Sequence, residues 1–546
     1  MRSFPRSLVP IIANEFCERW AFYSVRAVLV LYCVDRLGYS DDGAVALYSF
    51  WTAASYLSPF IGGYVADALL GRYRTILIFT AVYLAGMAGL TASSAPTPSS
   101  AAGSLAGLAL IALGTGGIKP CVSAFGLDQL AGAGPNQVTR FFLLFYFSIN
   151  AGSLLSYVVT PIVRAEVSFG AAFALSAVVL AAAFAAFLAG TPLYVRQPAA
   201  GNSVYAQFAR VFAASWRAGC GRRRSGVDQR APLMAAAAVA AAAAADEKLV
   251  KVAEPAADAS QPPPPALSTG LRWADAALGA VPAAEVFGVA TVVRLSPLIL
   301  LLAPFWALFD AQGSIWTLQR VDMRTFCFAG ESGCLTTEQL GALNPLLVLV
   351  FVPLIGWLCE VLRARVARGA APSWMEPTPL RRMGAGMLLT PVSFALTAAV
   401  QAAIDAAPES SVSILWQVPQ HVAITVAEVL VSATGLEWAN KEAPASMTTS
   451  VVALYLGTVA LGNVITGVLY SSLAGVLSSV QLILLLMVLM CVAAGAFVAL
   501  AATYVSLPVP AAAAAAPSDD AAAGAAGEAT SLLLTEAKSG GSGGQL

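Results

Sequence analysis

Apolar runs of about 20 residues or more recur along this chain, each long enough for an α-helix to cross a bilayer core of about 30 Å. They fall at roughly 8–33, 44–67, 73–95, 102–126, 139–163 and 168–193, and again at 289–318, 338–362, 380–404, 413–438, 447–472 and 478–505. A spanning strand needs only about ten residues and a two-residue alternation, which these runs lack, so helices follow rather than a barrel. With 58% hydrophobic and 11% charged residues, the chain is too apolar for an ordinary soluble fold. The expectation is an all-α, multi-pass membrane protein of about twelve transmembrane helices.

The two sets of runs define an organisation. Residues 1–195 hold the first set and 289–506 the second. Between them, 196–288 is a low-complexity linker with Arg222, Arg223 and Arg224, an alanine tract and Pro262 to Pro265, read as disordered or partly helical. The Ala-rich tail 507–546 is not expected to pack. The basic start reads as part of the first span rather than a cleaved signal, because Glu15, Glu18 and Arg19 interrupt its apolar run.

Lys and Arg give the orientation. With the amino terminus inside, inner segments hold Arg2, Arg6, Arg72, Arg74, Arg140, the linker arginines, Arg363, Arg365, Arg368, Arg381, Arg382 and Lys441; outer loops hold only Arg36, Arg164, Arg320 and Arg324. Both termini are therefore expected in the cytoplasm. Thirty Lys and Arg against thirty Asp and Glu give no net charge to attract a nucleic acid, and no obligate protein partner is evident. Most of the eight cysteines lie in apolar runs without metal-ligand spacing, while Cys327 and Cys334 share an outer loop where a disulfide is open. No nucleophile with an adjacent base marks an enzyme, and no cofactor is called for.

Seven ionisable residues fall within spans: Glu15, Glu18, Arg19, Arg26, Lys119, Asp310 and Glu428. Each costs roughly 2.5–3.5 kcal/mol at a helix centre, so they are expected to face a polar interior and pair there. Glu15, Glu18, Arg19, Phe22 and Arg26 stand on one face of the first span over about 16 Å. Lys119 lies in GTGGIKPCVSAFG, where glycines and Pro120 can loosen the helix, although packing explains the glycines equally well. Asp310 follows FWALF, and Glu428 has Ser432 four residues on, on the same helical face. A structural ion pair is the alternative for both acids. Asn150 and Asn344 either bind a ligand or bridge helices. His421, the single histidine, reads as a packing residue rather than a proton relay.

At these residues the sequence resembles the proton-dependent oligopeptide transporter family of the major facilitator superfamily. EFCERWAFYSVRA is similar to that family's ExxERFxYYGMRA. GGIKPCVSAFGLDQ, FYFSINAGSL, FWALFDAQGSIWTLQ, LNPLLVL and WQVPQHVAITVAEVLVSATGLEW extend the likeness, and GGYVADALLGRYRT resembles the superfamily's inner-loop motif. The resemblance implies two six-helix bundles around a midplane site. Trp20 and Phe22 depart from the motif, leaving Tyr23 as its tyrosine, and Ser49 stands where the animal intestinal branch has a proton-handling histidine. The two additional helices of bacterial relatives and the outer domain of animal ones are not evident.

The function so implied is symport of di- and tripeptides with protons by a secondary active transporter, the partners being small peptides, protons and the bilayer. A small peptide is a zwitterion and needs a charged group for each end. Arg26 and Lys119 are expected to receive the carboxylate and Glu428 with Asn344 and Asn150 the amino end, with Tyr23 and Ser432 also among the substrate-binding residues. Arg26–Asp310 and Lys119–Glu428 join opposite halves and are expected to act as gates. Glu15, Glu18, Arg19 and Asp310 are the proton-coupling candidates. Transport of nitrate, another small anion or an amino acid on the same scaffold, and a receptor that binds peptide without moving it, are the alternatives. Glu528 with Leu532 and Leu533 fits an acidic dileucine sorting signal, which leaves the plasma membrane and an endolysosomal or vacuolar membrane both open.

Overall fold

The computed structural model describes residues 5–94, 100–131, 133–199, 204–224, 268–327, 334–408, 410–443, 447–473 and 475–504. The calls on the alanine and proline tracts and on the dileucine tail lie outside these residues. In a bilayer the backbone must satisfy its own hydrogen bonds, and the chain does so with helices. The first half consists of α1 (Leu8–Asp35), α2 (Asp41–Tyr64), α3 (Arg72–Ser93), α4 (Ser100–Asp128), α5 (Pro135–Glu166) and α6 (Phe169–Ala189). Ten helices among the described residues are long and apolar enough to cross a membrane. α1 falls outside that set because its charges interrupt every stretch of it.

The linker holds α7 (Val204–Arg224) and a single turn, α8 (Arg272–Asp275). These dock on each other through Phe212 stacked on Trp273, with ring centres 4.9 Å apart. Arg210 ties α7 to Glu285 at the start of the second half. That half comprises α9 (Ala283–Leu300), α10 (Ala303–Phe309), α11 (Ile315–Val321), α12 (Leu343–Ala367), α13 (Pro379–Ala406), α14 (Val418–Glu428), α15 (Thr434–Glu442), α16 (Thr448–Leu473) and α17 (Ser479–Thr503).

Serine caps set several starts. Ser40 accepts the Gly43 N–H before α2, Ser168 that of Ala171 before α6, and Ser478 forms a capping box with Gln481 before α17. Two large buried cores result, one centred on α1–α6 and one on α9–α17, with a small third cluster of Ile355, Cys359 and Val429.

Two spans read as continuous are interrupted at their charged residues. The seventh divides into α9, α10 and α11, with a 3₁₀ turn at Asp310–Gly313. The tenth has a π turn, Val429–Ala433, directly after Glu428. By contrast α4 runs unbroken through Pro120, so GTGGIKP does not loosen into a loop. Its glycines serve packing: a Cβ on Gly116 would collide with Ser58 of α2, and one on Gly117 with the Phe79 ring of α3.

Candidate functional site

α1 carries the first cluster. Glu15, Glu18 and Arg19 are buried, Glu18 completely. The Arg19 guanidinium bridges both acids, with Nε 3.2 Å from Glu15 and Nη2 against Glu18. Thr115 of α4 donates to the other Glu18 oxygen at 2.8 Å. α5 reaches this cluster because Gly152 has no side chain; a Cβ there would sit 2.5 Å from the Phe16 carbonyl.

Two turns along α1, Arg26 leaves its own half. Its Nη2 donates to Asp310 at 2.6 Å and its Nε to the Tyr48 hydroxyl at 2.8 Å. The second Asp310 oxygen accepts from Asn463 of α16 at 2.5 Å. The 3₁₀ turn is what presents Asp310, and Gly313 within it makes room for the Tyr48 hydroxyl. The buried carboxylate thus has a cation and an amide, the satisfaction that charge at this depth requires.

Lys119 and Glu428 occupy the two halves without meeting. The Lys119 ammonium lies 4.0 Å from the ring centres of both Phe22 and Tyr56, and it is buried with no hydrogen-bond partner among the described residues. Glu428 accepts instead from Asn344 of α12 at 2.7 Å, and the same amide donates to Thr425. On the same face of α1, the Tyr23 ring centre lies 5.9 Å from the Arg26 guanidinium. Its ring adjoins Tyr157 of α5 at 6.0 Å.

A further link joins the halves at the end where α1 finishes. Arg164, at the end of α5, grips Glu338 with Nε at 2.8 Å and Nη2 at 2.6 Å. Glu338 precedes the 3₁₀ turn that leads into α12 and is almost wholly buried. Nearby, Cys327 and Cys334 are joined in a disulfide.

The POT family sequence profile (PTR2) matches residues 73–483. The chain belongs to the POT family. It is 33% identical over 417 residues to human solute carrier family 15 member 2, covering 74% of this chain and 50% of that protein. To peptide transporter family 1 of Drosophila melanogaster it is 34% identical over 417 residues, covering 74% and 48%. This POT family chain therefore spans about half the length of those relatives. Among solved structures, an auto-inhibited POT family peptide transporter superposes with a TM-score of 0.75 at 28% identity, covering 94% of this chain and 99% of the other. The POT family transporter PepTSo superposes with a TM-score of 0.74 at 27% identity, covering 92% and 99%. The fold is thus an all-α membrane fold of two helical bundles.

For this POT family member the structure sorts the sequence-based candidates. Arg26 meets Asp310, and Glu428 meets Asn344, as the sequence reading pairs them. The expected Lys119–Glu428 gate is not made: Asn344 occupies the acid, and two aromatic faces hold the lysine on its own side. Asn150 donates to the Tyr146 carbonyl one turn back on α5 rather than to Glu428. Ser432 falls in the π turn that follows Glu428, and its carbonyl accepts from Tyr455.

Arg320, assigned above to an outer loop, is 1% exposed on α11 inside the second half. It donates to Thr317 and Gln417, and lies 3.5 Å from His421 Nε2. His421 is fully buried and stands edge-on to Trp316. Sequence reasoning missed Asn463, Tyr48, Thr115 and Glu338. Asn463 alone carried a signal, a lone amide within an apolar run.

Proposed function

We propose that this chain carries small peptides across its membrane together with protons, by alternating access between the two bundles. The observation that supports this most is the state of Lys119. A buried ammonium without a hydrogen-bond acceptor is costly, and a peptide carboxylate supplies the acceptor it lacks. Glu428, in the other half and held by the neutral Asn344 amide, suits the peptide's amino end. The relatives whose names specify peptide transport agree with this reading.

The orientation proposed from Lys and Arg places the end where α1 finishes outside. Arg26–Asp310 and Arg164–Glu338 then close the outer side, and the inner side is the one through which the site exchanges. Opening outward requires both links to break. Arg19 is the coupling element: it is shared by Glu15 and Glu18, and a proton arriving on either acid weakens its hold on the arginine. A plasma membrane or an endolysosomal or vacuolar membrane would each supply the proton gradient.

Uptake of a labelled dipeptide into proteoliposomes under an imposed pH gradient tests the proposal. Lys119→Ala and Glu428→Gln are each expected to abolish gradient-driven uptake. Full uptake in either variant overturns the assigned roles. Uptake of labelled nitrate without uptake of the dipeptide identifies an anion carrier, and dipeptide binding without uptake identifies a receptor.

A further inference from the structure

The end of the first half where α1 begins carries a cavity that the transport reading does not use. The segment after α6 folds back beneath the α2–α3 corner, pinned by Gln129, whose side chain donates to the Val195 carbonyl and accepts the Val195 N–H. Gly71 turns the corner at φ +77°, and a Cβ there would lie 3.0 Å from the Gln197 carbonyl. Leu69, Leu70, Gly71, Tyr73 and Arg74 on one side and residues 196–199 on the other enclose a space of ≈ 350 Å³.

The chemistry of its wall is one-sided. Arg74 and Arg196 line it and no acid does. Arg196 is positioned, with its guanidinium 4.4 Å from the Tyr73 ring centre and Nη2 donating to the Thr191 carbonyl. Arg74 makes no hydrogen bond or ion pair among the described residues, unlike Arg72, which is spent on Asp128 at 2.6 Å. α3 also starts here without a side-chain cap, so the positive end of its dipole adds to the potential. The lining also has an apolar part: Leu69, 60% exposed, and the half-buried Leu70.

From this arrangement we infer that the cavity binds the phosphate of an anionic phospholipid. The two arginines and the α3 start take the headgroup, and Leu69 and Leu70 carry the acyl chains. A soluble phosphate would use the same donors but gain nothing from the apolar part, which is why lipid is the assigned source. The basic residues that set the proposed orientation place this end on the inner leaflet, where anionic lipids concentrate.

Native mass spectrometry of the full chain in detergent tests this, with titration of phosphatidylserine, phosphatidylcholine and inorganic phosphate. Phosphatidylserine is expected to bind in preference to phosphatidylcholine and to stay bound in millimolar phosphate. Arg74→Ala with Arg196→Ala is expected to weaken it about 25-fold, roughly fivefold for each arginine. Arg74→Lys with Arg196→Lys retains most of the affinity and controls for folding. Arg365→Ala with Arg368→Ala, on exposed arginines of the other half, leaves it unchanged. Equal loss in that control, unaltered binding in the alanine pair, or displacement by phosphate each overturns the assignment.

Discussion

Removing Arg164 is the sharpest perturbation of the outer closure, because the partner it abandons is far more buried than it is. Glu338 exposes 1% of its side chain and Arg164 20%. Truncating one partner of a buried pair costs about 3–5 kcal/mol, because the remaining charge is left uncompensated. Water at the partly exposed arginine screens some of that, so Arg164→Ala is expected to destabilise the closed state by about 2–3 kcal/mol, which shifts the closed-to-open ratio about 30- to 150-fold. Spin labels at Val167 and Val476, exposed residues at this end of the two halves, report the shift as a distance distribution. The exposed Cys491 is first replaced by serine. A population at longer distance is expected in Arg164→Ala, and its return is expected when Glu338→Gln is added, because the stranded charge is then gone. Identical distributions in wild type and Arg164→Ala would refute the view that this pair holds the halves together.

Other expectations follow from single contacts. Asn463→Ala removes the second donor to Asp310 and is expected to cost about 1–3 kcal/mol, read as a lower melting temperature in detergent and as weaker distal closure by the same labels. No change would mean that water replaces the amide. Gly152→Val drives a branched side chain into the Phe16 carbonyl 2.5 Å away, and is expected to abolish the folded monomer peak on size-exclusion chromatography. Normal folding would show that α1 and α5 pack less closely. Arg320→Met replaces a buried cation held by neutral partners with an apolar side chain of similar reach, and is expected to leave the melting temperature unchanged or raise it. A collapse would show that the polar niche of Thr317, Gln417 and His421 depends on the guanidinium.

Most of the fold is legible in the sequence because hydrocarbon leaves a spanning segment few options. What hydropathy cannot show is where a span breaks. The 3₁₀ turn at Asp310 and the π turn after Glu428 lie within apolar segments, and what meets them there, Tyr48 of α2, Asn463 of α16 and Asn344 of α12, is distant in sequence. Arg26 and Asp310 are legible as a pair because each is an isolated charge in an apolar run. Arg164 and Glu338 are not, because charges at helix ends are ordinary and only tertiary structure buries them. Arg320 shows the converse error: its place near the end of a run suggested an outer loop, but Thr317, Gln417 and His421 form a polar niche within the bundle. Lys119 lacks Glu428 as a partner for a reason of geometry, since Phe22 and Tyr56 bracket its ammonium.

Calorimetric binding of one dipeptide in three forms, free, amino-acetylated and carboxyl-amidated, against wild type, Lys119→Ala and Glu428→Gln, addresses the central claim most directly. If Lys119 receives the carboxylate and Glu428 the amine, amidation weakens binding to wild type but not further to Lys119→Ala, and acetylation weakens binding to wild type but not further to Glu428→Gln. Penalties that add in full across both cycles would contradict the account, because the peptide's ends would then be held by other groups.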